Sequence, residues 1–157
     1  MLMDYEQQLT AIAGVNGGEN IRPVSGTPVY GTRPYLGKGP SDIGLGDVDA
    51  GLLIKVKQDY TLLTSMDISL VGSDDAADPG ASTAGTNEVV LFTKTFTLAQ
   101  LVAANGAMRV GFVGPGVRKK LFRVKCATTG TTPGAGALQA WLQSGEDSTP
   151  ANIAFTI

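Results

Sequence analysis

The stretch LFRVKCATTGTTPGAGALQAWL, residues 121–142, determines the fold that the sequence predicts. In its first part, residues 121–128, the side chains of two faces alternate, which is the period of two typical of a half-buried strand. Glycine, threonine and proline interrupt the pattern at 129–136, and it resumes at 137–142. The stretch therefore predicts a β-hairpin, two strands joined by a turn of small residues. The side chains predicted to lie in the core or at an oligomer interface are Phe122, Val124, Leu138 and Trp141.

Further strand patterns follow one another along most of the chain after residue 50. They lie at residues 52–60, 62–71, 88–96, 107–113 and 152–157. One short helix is predicted at 97–105, with Thr97 as its N-cap and Gly106 just after its end. Strands do not alternate with helices, which disfavours a parallel sheet. The predicted fold is all-β, a jelly-roll-like sandwich or barrel of about seven or eight antiparallel strands.

The most regular alternation lies at residues 62–71, LLTSMDISLV. Polar and charged side chains alternate there with larger, mostly apolar ones, as expected for a strand with one face on the core. The face predicted to point inward consists of Leu62, Thr64, Met66, Ile68 and Leu70.

Residues 1–47 are predicted to form an extended N-terminal arm, and residues 48–157 the β-sandwich domain. Glycine and proline are too frequent after residue 13 for long regular elements, and only one helical turn is expected, within residues 4–13. A solvated tail is the alternative, but isolated apolar residues favour an arm that becomes ordered on a partner. Removal of such an arm should leave the domain folded. The apolar residues of the arm are Ile21, Val24, Val29, Tyr30, Tyr35 and Leu36.

The composition excludes several classes of function. The chain has 157 residues, a net charge of −2, no histidine and a single cysteine, Cys126. Triads and dyads that need histidine are therefore absent, and Cys126 in a strand pattern is expected to be a small core residue. Neither nucleic acid nor a membrane is an expected partner, because the chain has no basic bias and no apolar run of membrane-spanning length. No secretory signal is recognisable, so synthesis and folding in a cytosol are expected.

Two polar segments were weighed as binding sites. Asp74, Asp75 and Asp78 could hold Ca²⁺, but their spacing does not match a calcium loop, so a solvated loop is favoured and neither a metal nor a cofactor is expected. The segment GPGVRKK, residues 114–120, is interpreted first as a hairpin turn with solvated charges. A contact with an acidic patch of a partner is the second interpretation, and a phosphate site the third.

Two segments of the chain resemble the capsid cement, or decoration, proteins of tailed phages of the Bordetella podophage type. The first is SDIGLG at 41–46, which leads into the apolar strand at Leu52. The second combines GPG at 114–116, LFRV at 121–124, TGTTP at 129–133 and GALQAWL at 136–142. The family usually has a tyrosine at or near Phe122 and ends soon after its last strand, whereas about fifteen residues follow Trp141 here.

The resemblance implies a jelly-roll-like protein on the outer surface of the virion, which clamps neighbouring major capsid subunits. It also implies a homo-oligomer, with a dimer favoured and a trimer possible, and it brings no catalytic residue, metal or cofactor. The chain is therefore expected to be a structural protein and not an enzyme, and a jelly-roll glycan-binding or head-fibre module is the alternative. The residues expected to contact the capsid are Ile21, Val24, Val29, Tyr30, Tyr35, Leu36, Arg118, Lys119 and Lys120.

Overall fold

A computed structural model describes residues 8–11, 14–43, 50–74, 83–113 and 117–144 of the chain. Eight strands lie within these residues: β1 Val29–Tyr30, β2 Tyr35–Ile43, β3 Ala50–Gln58, β4 Leu63–Ser73, β5 Val89–Thr97, β6 Met108–Val113, β7 Val117–Gly130 and β8 Ala137–Ser144. Two short 3₁₀ turns accompany them, at Val15–Gly17 and Leu98–Gln100. The predicted strand at 152–157 lies outside the described residues.

The strands form two antiparallel sheets packed face to face. In the larger sheet, β7 pairs with both β1 and β2 on one side and with β4 on the other, and β5 follows β4. The smaller sheet has the order β6-β3-β8. From β2 onward the chain changes sheet at every connection except the one between β4 and β5, which is the connectivity of a jelly roll. The predicted all-β jelly-roll sandwich is confirmed.

The predicted hairpin at 121–142 is wrong in its pairing, although both of its strands exist. β7 and β8 lie in opposite sheets, so residues 131–136 cross the sandwich instead of closing a turn between neighbours. Phe122 and Val124 enter the core from the larger sheet, and Leu138 enters it from the smaller one. Alternation identifies a strand with one buried face. It does not show whether the next strand along the chain pairs with it in the same sheet or packs against it from the opposite sheet.

The crossing depends on a glycine. Gly136 has a φ of 142°, and a Cβ atom built on it would lie 2.3 Å from Cδ1 of Tyr60. Only glycine combines this backbone angle with so close an approach of an aromatic ring. Tyr60 is thereby held in the core, where its hydroxyl donates to the carbonyl oxygen of Ile21 at 3.0 Å.

The inward face of β4 differs from the prediction at its beginning. Leu62 is 63% exposed and Thr64 is also exposed, whereas Leu63 is buried. The register against β7 shifts between Leu63 and Ser65, and this irregularity reverses which side chains point inward. From Met66 onward the predicted face is correct, because Met66, Ile68 and Leu70 have no exposed surface.

The described residues of the two segments predicted to be helical contain less helix than predicted. Within 97–105 only the 3₁₀ turn Leu98–Gln100 forms, and its start is capped because the backbone N–H of Thr97 donates to Oε1 of Gln100 at 2.9 Å. The predicted cap at Thr97 is therefore correct, but the helix is only one turn. Of the segment 4–13, residues 8–11 are described and contain no helix.

The described N-terminal residues pack onto their own domain, which differs from the predicted arm. The backbone N–H of Leu9 donates to the carbonyl of Ala140 at 2.8 Å, and that of Glu19 donates to Leu138 at 2.8 Å. Isolated bridges pair Gln8 with Trp141 and Glu19 with Leu138, so this segment covers the edge of β8. Leu9 and Ile21 fill the space between the sheets, with no exposed surface. The predicted boundary at residue 47 falls within 44–49, outside the described residues.

Candidate interaction surface

The described residues offer little for chemistry. No three aspartate, glutamate or cysteine side chains among them are arranged as metal ligands. Neither 3₁₀ turn in this part of the chain is long and apolar enough to cross a membrane. Cys126 is fully buried, and burial raises the pKa of its thiol, as expected for a core residue.

The aspartates weighed as a calcium site are only partly described. Asp74 accepts a hydrogen bond from Nδ2 of Asn87 at 3.1 Å and forms an ion pair with Nζ of Lys119 at 3.2 Å. The hydrogen bond from Asn87 and the contact with Lys119 lower the pKa of the Asp74 carboxyl. Asp75 and Asp78 lie outside the described residues. Asp74 therefore joins β4 to the start of β5 and to β7.

A cluster of charges covers the outer face of β7. The guanidinium of Arg123, whose side chain is 2% exposed, lies 4.0 Å from the ring centre of Tyr30 and donates to the carbonyl of Thr83 at 2.8 Å. Glu88 accepts from the hydroxyl of Tyr30 at 2.9 Å and from Nζ of Lys125 at 3.3 Å. These contacts join three parts of the chain: the N-terminal segment, the loop that precedes β5, and the strand β7. The cluster therefore has a structural role.

The pKa of Glu88 reflects this setting. Burial alone would raise it, but hydrogen bonds from the backbone of Gly85 and from Tyr30, together with the charge of Lys125, lower it below its ordinary value. The pKa of Lys125 is raised, because its interactions with Tyr30 and Glu88 outweigh the opposing effect of burial. Each partner thus stabilises the charged form of the other.

Among the residues predicted to contact a capsid, those whose side chains are described do not form one surface. Ile21 is in the core and Tyr30 is 4% exposed within the charge cluster, while Val29 is half-buried against the core. Only Val24 is well exposed among the apolar residues of the arm whose side chains are described, at 58%. Ile21 and Tyr30 therefore cannot contact a partner while the domain stays folded as described.

The other predicted contacts lie in or beside β7. Tyr35 and Leu36 pair in register with Phe122 and Leu121, and Arg118 pairs in register with Asp42. Lys119 is engaged by Asp74 and by the carbonyl of Asn87 at 3.1 Å, whereas Lys120 is exposed.

The predicted core residues are buried as expected, but in two places. Phe122, Val124 and Leu138 lie in the main core. Trp141 packs with Leu53 in a second, smaller cluster, and its Nε1 donates to Oε1 of Gln143 at 3.2 Å. Within the monomer, all four therefore have intramolecular packing partners.

Three further exposed apolar residues lie elsewhere, on β5 and β6, which end their respective sheets. Among the described strands, β5 pairs only with β4 and β6 only with β3, so both strands are sheet edges. Val89 is 41% exposed, Val90 53% and Phe112 42%. We call the side of the sandwich formed by β5 and β6 the open edge.

The two strands of the open edge approach each other closely. The ring of Phe92 lies so near Gly111 that a Cβ atom there would be 2.7 Å from Cδ2 of the ring. Nζ of Lys94 donates to the carbonyl of Arg109 at 3.1 Å and lies 5.2 Å from the ring centre of Phe96. The guanidinium of Arg109 in turn stacks on Phe112 at 4.2 Å.

A groove of about 490 Å³ runs along this edge. Phe96, Met108 and Val110 supply apolar lining, and Lys94 and Arg109 contribute two positive charges. On the outer face of the larger sheet, Asp67 accepts a hydrogen bond from the hydroxyl of Thr95 at 2.5 Å, and Glu88 belongs to the charge cluster. The groove itself is lined by both apolar and polar residues.

Sequence reasoning missed the open edge, although one signal was available. Residues 89–92 read VVLF, four apolar residues in succession within a chain whose other strands mostly alternate. Such a run in a sheet-edge strand exposes apolar side chains on whichever face is not covered. The run did not indicate by itself that β5 would be an edge.

Scanned against protein-family models, the chain matches none, and a search of curated proteins finds no match. The function proposed for the chain therefore rests on its own residues, its fold and the resemblance of its motifs.

Proposed function

We propose that this chain is a structural virion protein, a capsid cement or decoration protein that binds the outside of a tailed-phage head and stabilises contacts between major capsid subunits. The observation that carries the proposal is the open edge: β5 and β6 end their sheets, and Val89, Val90 and Phe112 remain exposed on these two strands. Exposed apolar side chains on unpaired edge strands are typical of a surface that another protein covers. The motif resemblance supports the choice of partner, the major capsid protein.

Weak contacts of this kind suit a repetitive shell. Complete burial of an apolar side chain contributes about 1.5–3 kcal/mol, so covering each half-exposed residue of the edge contributes about 1 kcal/mol. A single copy therefore binds weakly through this surface. A homo-oligomer, a dimer in the first instance or a trimer, engages several subunits together, and its affinity rises through the effective concentration of the second site.

The fold favours a different mode of binding to the shell from the N-terminal arm that the sequence predicted. The described N-terminal residues stabilise their own domain, so the contacts come from the surface of the sandwich instead of a long arm. Of the contacts predicted from the sequence, Val24 and Lys120 remain exposed and available. A decoration protein that binds only the expanded shell stabilises that form of the shell by mass action.

Co-sedimentation tests this proposal. The purified chain is mixed with expanded heads that lack the decoration protein, and the free chain is examined by mass photometry. The expected result is saturable binding at a fixed ratio to capsid subunits, from a discrete oligomer. No binding to heads, together with a monomeric chain and specific binding on a glycan array, would contradict the proposal and favour the glycan-binding module.

A further inference from the structure

Several uncharged segments of the chain meet at one end of the sandwich. At this end β3 leads into β4, β5 into β6 and β7 into β8, because Leu63 at the start of β4 pairs in register with Gly130 at the end of β7. The turn that precedes β1 lies there too, since Nε of Arg22 donates to the carbonyl of Gly136 at 3.2 Å. We call this surface the uncharged end; it comprises residues 24–27, 61–64, 98–107 and 129–134, none of which is charged.

Two charged residues border the uncharged end, and both have partners within the domain. The guanidinium of Arg22 also donates to Oε1 of Gln58 at 3.3 Å, and Asp59 accepts a hydrogen bond from the backbone N–H of Ala103 at 2.6 Å. The opposite end of the sandwich differs, because β7 begins there with three consecutive cations at 118–120. The two ends therefore differ in charge.

Leu62 projects from the uncharged end in a strained backbone conformation. Its φ is 73°, which is rare for a bulky residue, and its side chain is 63% exposed. The neighbouring residues are fixed. The backbone N–H of Tyr60 donates to the carbonyl of Leu101 at 3.0 Å, and Oγ1 of Thr61 accepts from the N–H of Ala135 at 3.0 Å. Strain of this kind persists only where the surrounding structure imposes it, and it is concentrated at functional positions.

Val24 is a second exposed apolar residue at this end, with 58% of its surface exposed. It begins a tight turn in which the N–H of Thr27 donates to the carbonyl of Val24 at 2.9 Å and Gly26 has a φ of 82°. Buried Ile21 precedes this turn and β1 follows it at Val29. The backbone that presents each apolar side chain is therefore already ordered, which lowers the entropy cost of covering it.

We propose that the uncharged end is the surface through which two copies of this chain form a dimer, with Leu62 and Val24 of each copy covered by the other. The inference rests on the proposed function, which needs a homo-oligomer to engage several capsid subunits together. It gives that oligomer an interface, and it leaves Lys120 and the open edge for contacts with the shell.

The distribution of charge favours a second copy as the occupant of this surface. In a two-fold dimer a surface meets itself, so a charge near the axis lies close to its own copy. An uncharged surface avoids this repulsion, and the cores of protein interfaces are depleted of charge. The open edge is less suitable, because Lys94 pairs in register with buried Ile68 and so shares the inward face of an edge strand, where a charge opposes pairing between copies. The cations at 118–120 disfavour self-pairing of the opposite end.

The oligomeric state of the full chain in solution tests the proposal. Sedimentation velocity over a wide range of micromolar concentrations should show an equilibrium between monomer and dimer. The dissociation constant should change by less than about twofold between low and high concentrations of NaCl, because no charge pair crosses the interface. A chain that stays monomeric, a trimer, or a dimer that dissociates in salt would overturn the proposal.

Variants locate the interface. Leu62→Asn should weaken the dimer at least about tenfold, because each substitution removes two side chains from a two-fold interface. Asparagine tolerates a positive φ, so the thermal unfolding midpoint of this variant should be unchanged or higher, which a purely structural role of Leu62 would not produce. Val24→Asn should weaken the dimer severalfold.

Val90→Asn is the matched control, the same kind of change at an exposed residue of the open edge. It should dimerise like the unmodified chain. Equal weakening of the dimer by Val90→Asn, or an unchanged dimer with both Leu62→Asn and Val24→Asn, would overturn the proposal.

The same measurements distinguish this inference from the proposed function. A dimer that does not bind expanded heads would support the interface and overturn the cement function. A monomer that binds heads saturably would overturn the interface and leave the function in place. Weaker binding to heads by monomeric Leu62→Asn than by the unmodified dimer would support both, because the avidity of the dimer is lost.

Discussion

The two sides of this sandwich are closed in different ways. On one side, which we call the closed side, residues 8–11 and 14–31 cover the edge of β8 and pair with β7, and they place Leu9 and Ile21 inside the core. On the other side, no described strand covers β5 or β6, and valines and a phenylalanine remain exposed. Both sides are built from short apolar runs with nearby cations. The difference teaches that the same residue types stabilise the monomer where its own chain covers them, and remain exposed to solvent where it does not.

The largest expected effect compares one apolar residue from each side. Ile21→Ala removes a fully buried side chain from the closed side and should lower the free energy of unfolding by about 3 kcal/mol. Val90→Ala, on the open edge, should change it by less than about 0.5 kcal/mol. Urea unfolding measures both. Equal, small losses would mean that the N-terminal segment contributes nothing to the fold in solution, as a detached arm would.

A smaller effect, in the charge cluster on the outer face of β7, depends on pH. The folded-state pKa of Glu88 is lowered, so the unfolded chain binds more protons as the pH falls through the ordinary range of a glutamate. The stabilisation from Glu88 is therefore present at neutral pH and is lost as the pH falls through the lowered folded-state pKa. Glu88→Gln should lower stability at pH 7 and reduce the difference between pH 7 and pH 3.5.

The measurement for Glu88 is the urea midpoint of both proteins at the two pH values. Asp74→Asn serves as the control, because Asp74 also has a lowered pKa but is partly exposed at the strand end. A larger reduction of the pH difference with Asp74→Asn than with Glu88→Gln would contradict the role given to the charge cluster.

The smallest effect on stability belongs to the open edge. Lys94→Val removes the inward charge that opposes edge-to-edge pairing and should leave the unfolding midpoint nearly unchanged. Self-association should increase severalfold, as measured by sedimentation velocity over a range of concentrations. Lys57→Val, beside Gly18 on the closed side, is the matched control. Unchanged self-association of Lys94→Val would show that another feature keeps the edge from pairing.

The strands and their inward faces were largely predictable, since local alternation is a property of successive residues. The strands predicted at 52–60, 88–96, 107–113 and 137–142 correspond to β3, β5, β6 and β8, and the capping role of Thr97 was also correct. At Leu62 and Thr64 the prediction was wrong, because a register shift depends on the partner strand.

The candidate site was less predictable. Ile21 and Tyr30 have the isolated spacing of residues that anchor an arm to a partner, yet the partner that they contact is the chain's own core and charge cluster. Val90 and Phe112 are apolar residue types that are typical of a protein core, yet they are exposed. Whether a side chain is buried depends on how the sheets assemble. The apolar character of a side chain indicates only that covering it is favourable, and not which part of the chain or which partner covers it.

By itself, the sequence determined that this protein is an all-β chain of short strands without histidine chemistry, because composition and period-two alternation are local. Only the tertiary structure decided that β7 and β8 face each other across a core, that residues 8–11 and 14–31 close one side, and that no described strand covers β5 and β6 on the other side. Those outcomes depend on contacts between residues far apart in sequence, such as Leu9 with Ala140 and Gly31 with Val124. Strand order follows from which apolar faces bury each other best, and that comparison exists only once the chain has folded.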